Sequence, residues 1–287
     1  MKRVGRTVAW VVTALTVVVL ATIGVGSARL AAAIEVPPHD APAAVTAPER
    51  QTEGGRLANA MVCTQCHGAD LAGSDFLDGG PFMRLPAPNL TGGRVSAAVV
   101  ERAVRHGIGS DGRALLIMPS QAYAHLSDDD MADIAGYIAS LPDTPRALMQ
   151  RSVGPIGRAV AAFQATELQP ARITPQADRH PASAADAVSR FTPLCATCHG
   201  ADFGGQLFVA EIDWWAPNLT SHSTGAASWT LEQFALAVRQ GRTPDGRALS
   251  VEEMPWRSFA SLTDDEMTAI YEFLRSQPAI ERVAPAR

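Results

Sequence analysis

A chain of 287 residues that runs through the same series of short motifs twice has little freedom, because it must fold as two related units, each with its own core. The first copy reads Cys63-Thr64-Gln65-Cys66-His67-Gly68-Ala69-Asp70, then Pro88-Asn89-Leu90-Thr91, Asp111-Gly112-Arg113, Met118-Pro119 and Ser127-Asp128-Asp129-Asp130-Met131. The second reads Cys195-Ala196-Thr197-Cys198-His199-Gly200-Ala201-Asp202, then Pro217-Asn218-Leu219-Thr220, Asp245-Gly246-Arg247, Met254-Pro255 and Thr263-Asp264-Asp265-Glu266-Met267. Order and spacing agree at an interval of about 132 residues.

Each copy predicts the same three short helices. One leads into the cysteines, a second covers residues 97–105 or 231–239, and a third begins at Ser127 or Thr263. There a hydroxyl followed three residues later by Asp130 or Glu266 is a capping-box pattern, and acidic residues in a first turn suit the helix dipole. Met131, Ile134, Ala135 and Ile138 form one apolar stripe, as do Met267, Ile270, Tyr271 and Leu274. The expected fold is all-α, with a segment at 1–29, a tether at 30–49, units at 50–142 and 183–287, and a Pro-rich connector at 143–182. One helical piece is expected in that connector, near residues 156–163.

All four cysteines fall in the two Cys-x-x-Cys-His motifs, the pattern of covalent haem c attachment. Two thiols three positions apart share one helical turn, so Cys63 and Cys66, or Cys195 and Cys198, can each add to a haem vinyl group. His67 or His199 then lies under the iron. A zinc site usually brings its two halves within about 20 residues, whereas 128 residues lie between Cys66 and Cys195. A thioredoxin-like pair needs a βαβ context that the sequence lacks, and a disulfide framework leaves both histidines without a role.

The opposite side of each iron calls for a second ligand. Met118 and Met254, each followed by proline, stand 55 and 59 residues after the first cysteine of their copies, in loops before the third helix. Thioether ligation raises the reduction potential and closes the iron to other ligands. Met131 and Met267 are duplicated too, but lie on the apolar stripe. His106 aligns with Gln240 and His125 with Ser261, so neither histidine serves both copies. Arg105, Arg113, Arg239 and Arg247 are duplicated cations that can meet haem propionates.

Cys-x-x-Cys-His-Gly, Pro-Asn-Leu-Thr and Met-Pro in this order resemble class I cytochrome c domains, over about residues 50–142 and 183–280. The resemblance implies a few helices wrapped around each haem. It also implies that the Pro88 or Pro217 carbonyl accepts a hydrogen bond from the proximal histidine, and that Leu90 and Leu219 pack on the haem. The tandem arrangement is similar to the cytochrome subunits of membrane-bound quinoprotein and flavoprotein dehydrogenases. Those often carry a third haem, for which no third motif exists here. Pro193, two residues before Cys195, is expected to distort the helix that leads into the second motif.

The N-terminus carries Lys2, Arg3 and Arg6 before an uncharged run over residues 7–28. As a helix that run spans about 33 Å, enough for a hydrocarbon core of about 30 Å. Its length favours an uncleaved anchor, while Gly26-Ser27-Ala28 and Ala31-Ala32-Ala33 offer cleavage sites for a signal peptide. The leading cations orient the remainder away from the cytoplasm. Of the chain's 24 cations three lie in its first six residues, so the remainder carries 21 cations against 29 anions. That acidic balance excludes a basic nucleic-acid surface.

These features together imply an electron carrier with two covalently bound haem c groups on the periplasmic side of a bacterial inner membrane. Its partners would be a dehydrogenase or quinol-oxidising complex and a terminal oxidase or soluble carrier. The alternative is a di-haem enzyme, a peroxidase or a sulfur-compound oxidoreductase, which needs an iron with an open coordination position.

Overall fold

The computed structural model describes residues 2–35, 41–163, 187–209 and 214–282. The apolar N-terminal run forms α1 (Lys2–Ala31), and within it Arg6–Ala31 is long and apolar enough to cross a bilayer. The hydroxyls of Thr16 and Thr22 donate to the carbonyls of Val12 and Val18 at 2.9 Å, which satisfies both donors within an apolar rod.

The first copy follows as α2 (Pro48–Ala60), α3 (Cys63–His67), a hairpin of β1 (Ser74–Asp78) and β2 (Met83–Ala87), α4 (Ala97–His106) and α5 (Asp128–Ser140). After β3 (Ser152–Val153) and α6 (Pro155–Phe163), the second copy repeats the plan. It runs α7 (Ala187–His199), β4 (Gln206–Val209), β5 (Trp214–Ala216), α8 (Leu231–Gln240), α9 (Trp256–Phe259) and α10 (Asp264–Ser276). Both expected capping boxes are formed, at Ser127 with Asp130 and at Thr263 with Glu266. The duplicated methionines of that helix are sealed in the core, Met131 at 0% and Met267 at 2% exposure. The connector helix lies where expected, whereas connector residues 164–182 and tether residues 36–40 fall outside the described residues.

One sequence expectation needs correction. The fold is mainly helical, not all-α: β1, β2 and β3 form one antiparallel sheet and β4 and β5 another. For the first hairpin the reason is local. Asp78 accepts from the Gly80 amide at 2.9 Å and Gly80 takes φ 56°, so the chain reverses before a helix can gather a turn. In both copies the ladder ends beside the proline of Pro-Asn-Leu-Thr, pairing Ser74 with Ala87 and Gln206 with Ala216.

Pro193 lies inside the helix into the second motif, which continues past it to His199. It is the first copy that breaks, at Val62 with φ 55°, while α7 runs unbroken through Pro193. A helical proline removes one hydrogen bond, to the Ser189 carbonyl. Packing on both sides offsets it, since Ala187, Phe191 and Leu194 are buried and Thr192 Oγ1 donates to the Val188 carbonyl at 2.7 Å.

The two copies are joined by a reciprocal exchange of charges. Arg56, on the helix leading into the first motif, makes a two-pronged contact with Glu266 at 2.8 and 2.9 Å and reaches the Ser261 carbonyl at 3.0 Å. Arg190, on the helix leading into the second motif, pairs with Asp130 at 2.8 Å and with Glu266 at 3.4 Å. Each arginine thus binds the capping-box carboxylate of the opposite copy. Apolar residues of both copies, among them Met61, Tyr123, Phe191 and Leu194, belong to one continuous core.

Burial works against the charge of Glu266, but hydrogen bonds from Arg56 and the Thr263 amide, with the charges of Arg56 and Arg190, hold its pKa below the ordinary glutamate value. A depressed folded pKa stabilises fully above the unfolded value of about 4.3 and is lost as pH falls through the folded one. Urea unfolding of the haem-loaded chain should therefore show the seam weakening below about pH 4. Glu266→Gln should remove that share of the acid sensitivity. An unchanged acid limb in this variant would place the sensitivity elsewhere.

Candidate metal centres

Each motif presents its side chains from the last turn of a helix, α3 or the end of α7, just before a glycine in positive φ: Gly68 at 82° and Gly200 at 84°. The four cysteines are free thiols. Burial pushes Cys63 and Cys195 up to about 12 and Cys66 and Cys198 up to about 11. They are protonated at neutral pH and line an apolar wall. Among the described residues no three His, Cys, Asp or Glu side chains converge as a zinc site requires.

The histidines are held by one nitrogen. His67 Nδ1 lies 2.9 Å from the Pro88 carbonyl and His199 Nδ1 lies 2.7 Å from the Pro217 carbonyl. A carbonyl only accepts, so Nδ1 carries the hydrogen and Nε2 keeps its lone pair for a metal. Burial pushes both imidazoles below their ordinary pKa, with the proline carbonyl opposing it. Both rings are neutral near pH 7, as ligation demands.

The hairpins make this contact possible by returning the proline to the motif. At Gly73, φ 89°, a Cβ would sit 2.8 Å from the Ala87 carbonyl oxygen and 2.9 Å from the Asn89 amide. At Gly205, φ 86°, the same close approach is made to Ala216 and Asn218. Only glycine fits both the φ and the space. Gly73→Ala should therefore lengthen the His67–Pro88 contact and destabilise the first copy by about 1–3 kcal/mol, the scale of a strained backbone position. A shifted potential at one haem only is the readout, and an unshifted potential with an unchanged unfolding midpoint would show the approach to be slack.

The Pro-Asn-Leu-Thr asparagine and threonine form a clamp. Asn89 Oδ1 accepts from the Thr91 amide and hydroxyl at 2.9 and 2.8 Å, and Asn89 Nδ2 donates to the Thr144 carbonyl at 2.8 Å. Asn218, Thr220 and Ile280 repeat this at 2.8, 2.8 and 2.6 Å. Arg146 pairs with Asp70 at 2.7 Å and donates to the Gly73 carbonyl at 2.8 Å, while Arg282 pairs with Asp202 at 3.2 Å and also meets the Gly205 carbonyl. Sequence reasoning missed Arg146 and Arg282. The signal was there, since they stand 136 residues apart, the same offset as Met118 to Met254.

Met118 and Met254 are half-buried, and both lie in the same unusual turn. The Ser120 amide donates to the Met118 carbonyl at 2.8 Å and the Trp256 amide to the Met254 carbonyl at 2.7 Å. Between them Pro119 has φ −80°, ψ 57° and Pro255 has φ −77°, ψ 51°, the angles of an inverse γ-turn. Leu90 packs half-buried on the core and Leu219 is buried in it.

Arg105 and Arg239 are committed elsewhere than to propionates. Arg105 donates to Asp128 at 2.7 Å and the Leu126 carbonyl at 2.6 Å, and Arg239 to Asp264 and the Leu262 carbonyl at 2.7 Å each. Their terminal nitrogens tie α4 to α5 and α8 to α10. Arg113 and Arg247 are exposed, with Arg113 Nε 3.9 Å from Asp111 and the Arg247 amide 3.4 Å from Asp245. The residues present fit a covalently attached haem: free thiols on one turn, a neutral imidazole fixed by its far nitrogen, and apolar side chains of the same copy, such as Val62, Leu90 and Met118, that pack only partly buried against the core.

Residues 49–138 match the family model described as cytochrome c oxidase, cbb3-type, subunit III, and residues 184–278 match the one described as cytochrome c. The chain is similar to the fructose dehydrogenase cytochrome subunit of Gluconobacter japonicus, 28% identical over 79% of this chain and 52% of that protein. It is similar as well to the gluconate 2-dehydrogenase cytochrome c subunit of Pantoea cypripedii, 28% identical over 78% of this chain and 58% of that protein. Over 28% of this chain and 18% of the other it is 36% identical to the alcohol dehydrogenase (quinone) cytochrome c subunit of Gluconobacter oxydans. The chain spans about half the length of the first and second of these relatives.

Proposed function

Because the chain belongs to the c-type cytochromes, with two cytochrome c domains that each take a covalent haem c, we propose that it relays electrons from a membrane-bound dehydrogenase through its two haems to a terminal oxidase or soluble carrier. Bound haem supplies a one-electron iron couple. The chain's residues set where that couple sits and at what potential. In this reading Cys63, Cys66, Cys195 and Cys198 hold the haems, His67 and His199 are the proximal ligands and Met118 and Met254 the distal ones. Arg113 and Arg247 stand by as cations for propionates.

The observation that carries a relay, as opposed to two separate carriers, is the seam. Tyr123 is buried there and donates to the carbonyl of Met61, which precedes the first motif, at 2.8 Å, and the turn Ser120–Ala122 that leads to it packs on α7, the helix that ends in Cys195, Cys198 and His199. Burial pushes the pKa of its hydroxyl well above the ordinary tyrosine value. Both attachment turns therefore adjoin one joint, and the arginine pairs fix the joint in place. Residues 7–28 would anchor the relay, with the haem domains on the periplasmic face, where the cations at the start of the chain direct them.

Membranes from cells lacking this chain should lose oxygen uptake with the partner dehydrogenase's substrate while that dehydrogenase still reduces an added dye. Restoring the chain should restore uptake. Full oxygen uptake without it would end the proposal. A potentiometric titration of the purified protein should also need two one-electron components, because the second copy carries Trp214, Trp215 and Trp256 near its motifs where the first copy has no tryptophan. About 59 mV separates two sites for each tenfold difference in equilibrium constant.

A further inference from the structure

The connector helix α6 packs along the outer end of α1. Thr22, Ile23, Gly26, Ser27 and Leu30 form the face of α1 that is wholly or partly buried, while every residue from Arg6 to Ala21 is exposed. A Cβ on Gly26 would sit 1.6 Å from the Arg158 carbonyl oxygen, so the two helices touch backbone to backbone and only glycine permits it. Arg29 donates to the Ala162 carbonyl and closes the C-terminal end of α6 against α1.

The opposite face of α6 is apolar and uncovered. Ile156, Val160 and Phe163 are 68%, 38% and 80% exposed. At 100° per residue these positions fall within about 60° of one another, whereas Gly157, Ala161 and Ala162 turn toward the protein. Gly157 is buried against Phe82 and Val153, so α6 is also fixed to the hairpin of the first domain.

The lengths decide what covers the stripe. The bare part of α1, residues 6–21, is about 24 Å long, short of a hydrocarbon core of about 30 Å. Roughly one more turn of α1 must lie in hydrocarbon, and that turn is the one beside α6. The stripe then lies at the boundary between acyl chains and headgroups, and Arg29 and Arg158, both exposed, stand at headgroup level.

We propose that α6 is a membrane-surface helix, seated against α1 with Ile156, Val160 and Phe163 buried in the outer leaflet's interface, and that it holds the first domain at a fixed height and tilt over the bilayer. This rests on the reading that α1 spans the membrane. The hairpin of the first domain is tied to α6 through Gly154, whose amide donates to the Phe82 carbonyl at 2.8 Å. The first haem domain is thereby oriented by the lipid surface, and the second is carried by the seam.

The test uses the full haem-loaded chain in nanodiscs of phosphatidylethanolamine and phosphatidylglycerol. Its own cysteines are occupied by haem, so single variants Ile156→Cys, Val160→Cys and Phe163→Cys can be spin-labelled one at a time. Leu15→Cys reports on α1, and Glu272→Cys, an exposed site on α10, reports on water. The ratio of oxygen to nickel-chelate collisions should rise about tenfold over the Glu272 label at all three α6 positions, as for a helix face seated about 5–10 Å into the interface. If Leu15 reads as deep while the α6 labels behave like Glu272, the anchor stands and the surface-helix proposal falls. If Leu15 also reads as water, the anchor reading itself fails and takes the proposal with it. Shielding of the α6 labels from both reagents would show a second copy or a partner protein on the stripe and would overturn it too.

Discussion

Replacing both thiols of one motif, Cys63→Ser with Cys66→Ser, should leave the chain with one covalent haem and a first domain that no longer folds. The cause is the shape of the core. In the first copy Val62, Leu90, Val95 and Met118 are only partly buried by protein. A haem covering a few hundred Å² of such surface is worth roughly 5–10 kcal/mol at about 25 cal/mol per Å². That equals the whole stability of a domain of this size, about 5–10 kcal/mol. Mass spectrometry of the denatured variant should show one added haem where the parent shows two, and far-ultraviolet circular dichroism should lose helix signal from the first domain. The second domain should keep its haem at lowered stability, because Arg190 and Glu266 lose the surroundings that Asp130 and Arg56 give them across the seam. Two haems on the double variant, or a bound zinc in place of haem, would sink the reading of the motif.

The repeat made most of this architecture legible. Fixed local chemistry gave the capping boxes at Ser127 and Thr263, the helices at residues 97–105 and 231–239, and the helix inside the connector, since each depends on neighbours within a turn or two. The strands were not legible, because strands of two to five residues carry too few alternations to stand out. Pro193 shows what propensity leaves out: the helix continues past it because the buried Phe191 and Leu194 offset the lost hydrogen bond. The arginines divide along the same line. Charge alone made Arg105 and Arg239 candidates for propionates, but only three dimensions show the start of the last helix within reach of both. The reciprocal seam was beyond the sequence altogether, because Arg56 and Arg190 sit at different distances from their motifs and so do not align as a repeat.

Met118→Ala and Met254→Ala should each open one iron to carbon monoxide and remove about half of the methionine-to-iron charge-transfer absorbance, the share of one site in two. The two turns share one geometry: a carbonyl bonded two residues on, across a proline with ψ near 55° in both copies. Such a turn offers the methionine side chain from a rigid corner, whereas Met131 and Met267 are locked in the helix core and could reach an iron only by unpacking it. Loss of a thioether that favours the ferrous state by about 3 kcal/mol lowers a one-electron potential on the order of 100 mV. The two variants should differ in how far the change spreads. The second turn is pinned by Trp256, whose indole nitrogen donates to the Leu249 carbonyl at 3.1 Å and whose ring lies over Gly241. The first is pinned by Ser120, whose hydroxyl donates to the Ala103 carbonyl at 2.8 Å. Ser120 begins the short turn that leads to Tyr123 at the seam, so Met118→Ala should also shift the potential of the second haem, while Met254→Ala should leave the first within error. Full charge-transfer absorbance in both variants would move the ligand to another residue, and equal cross-effects would remove the seam as the route by which one haem senses the other.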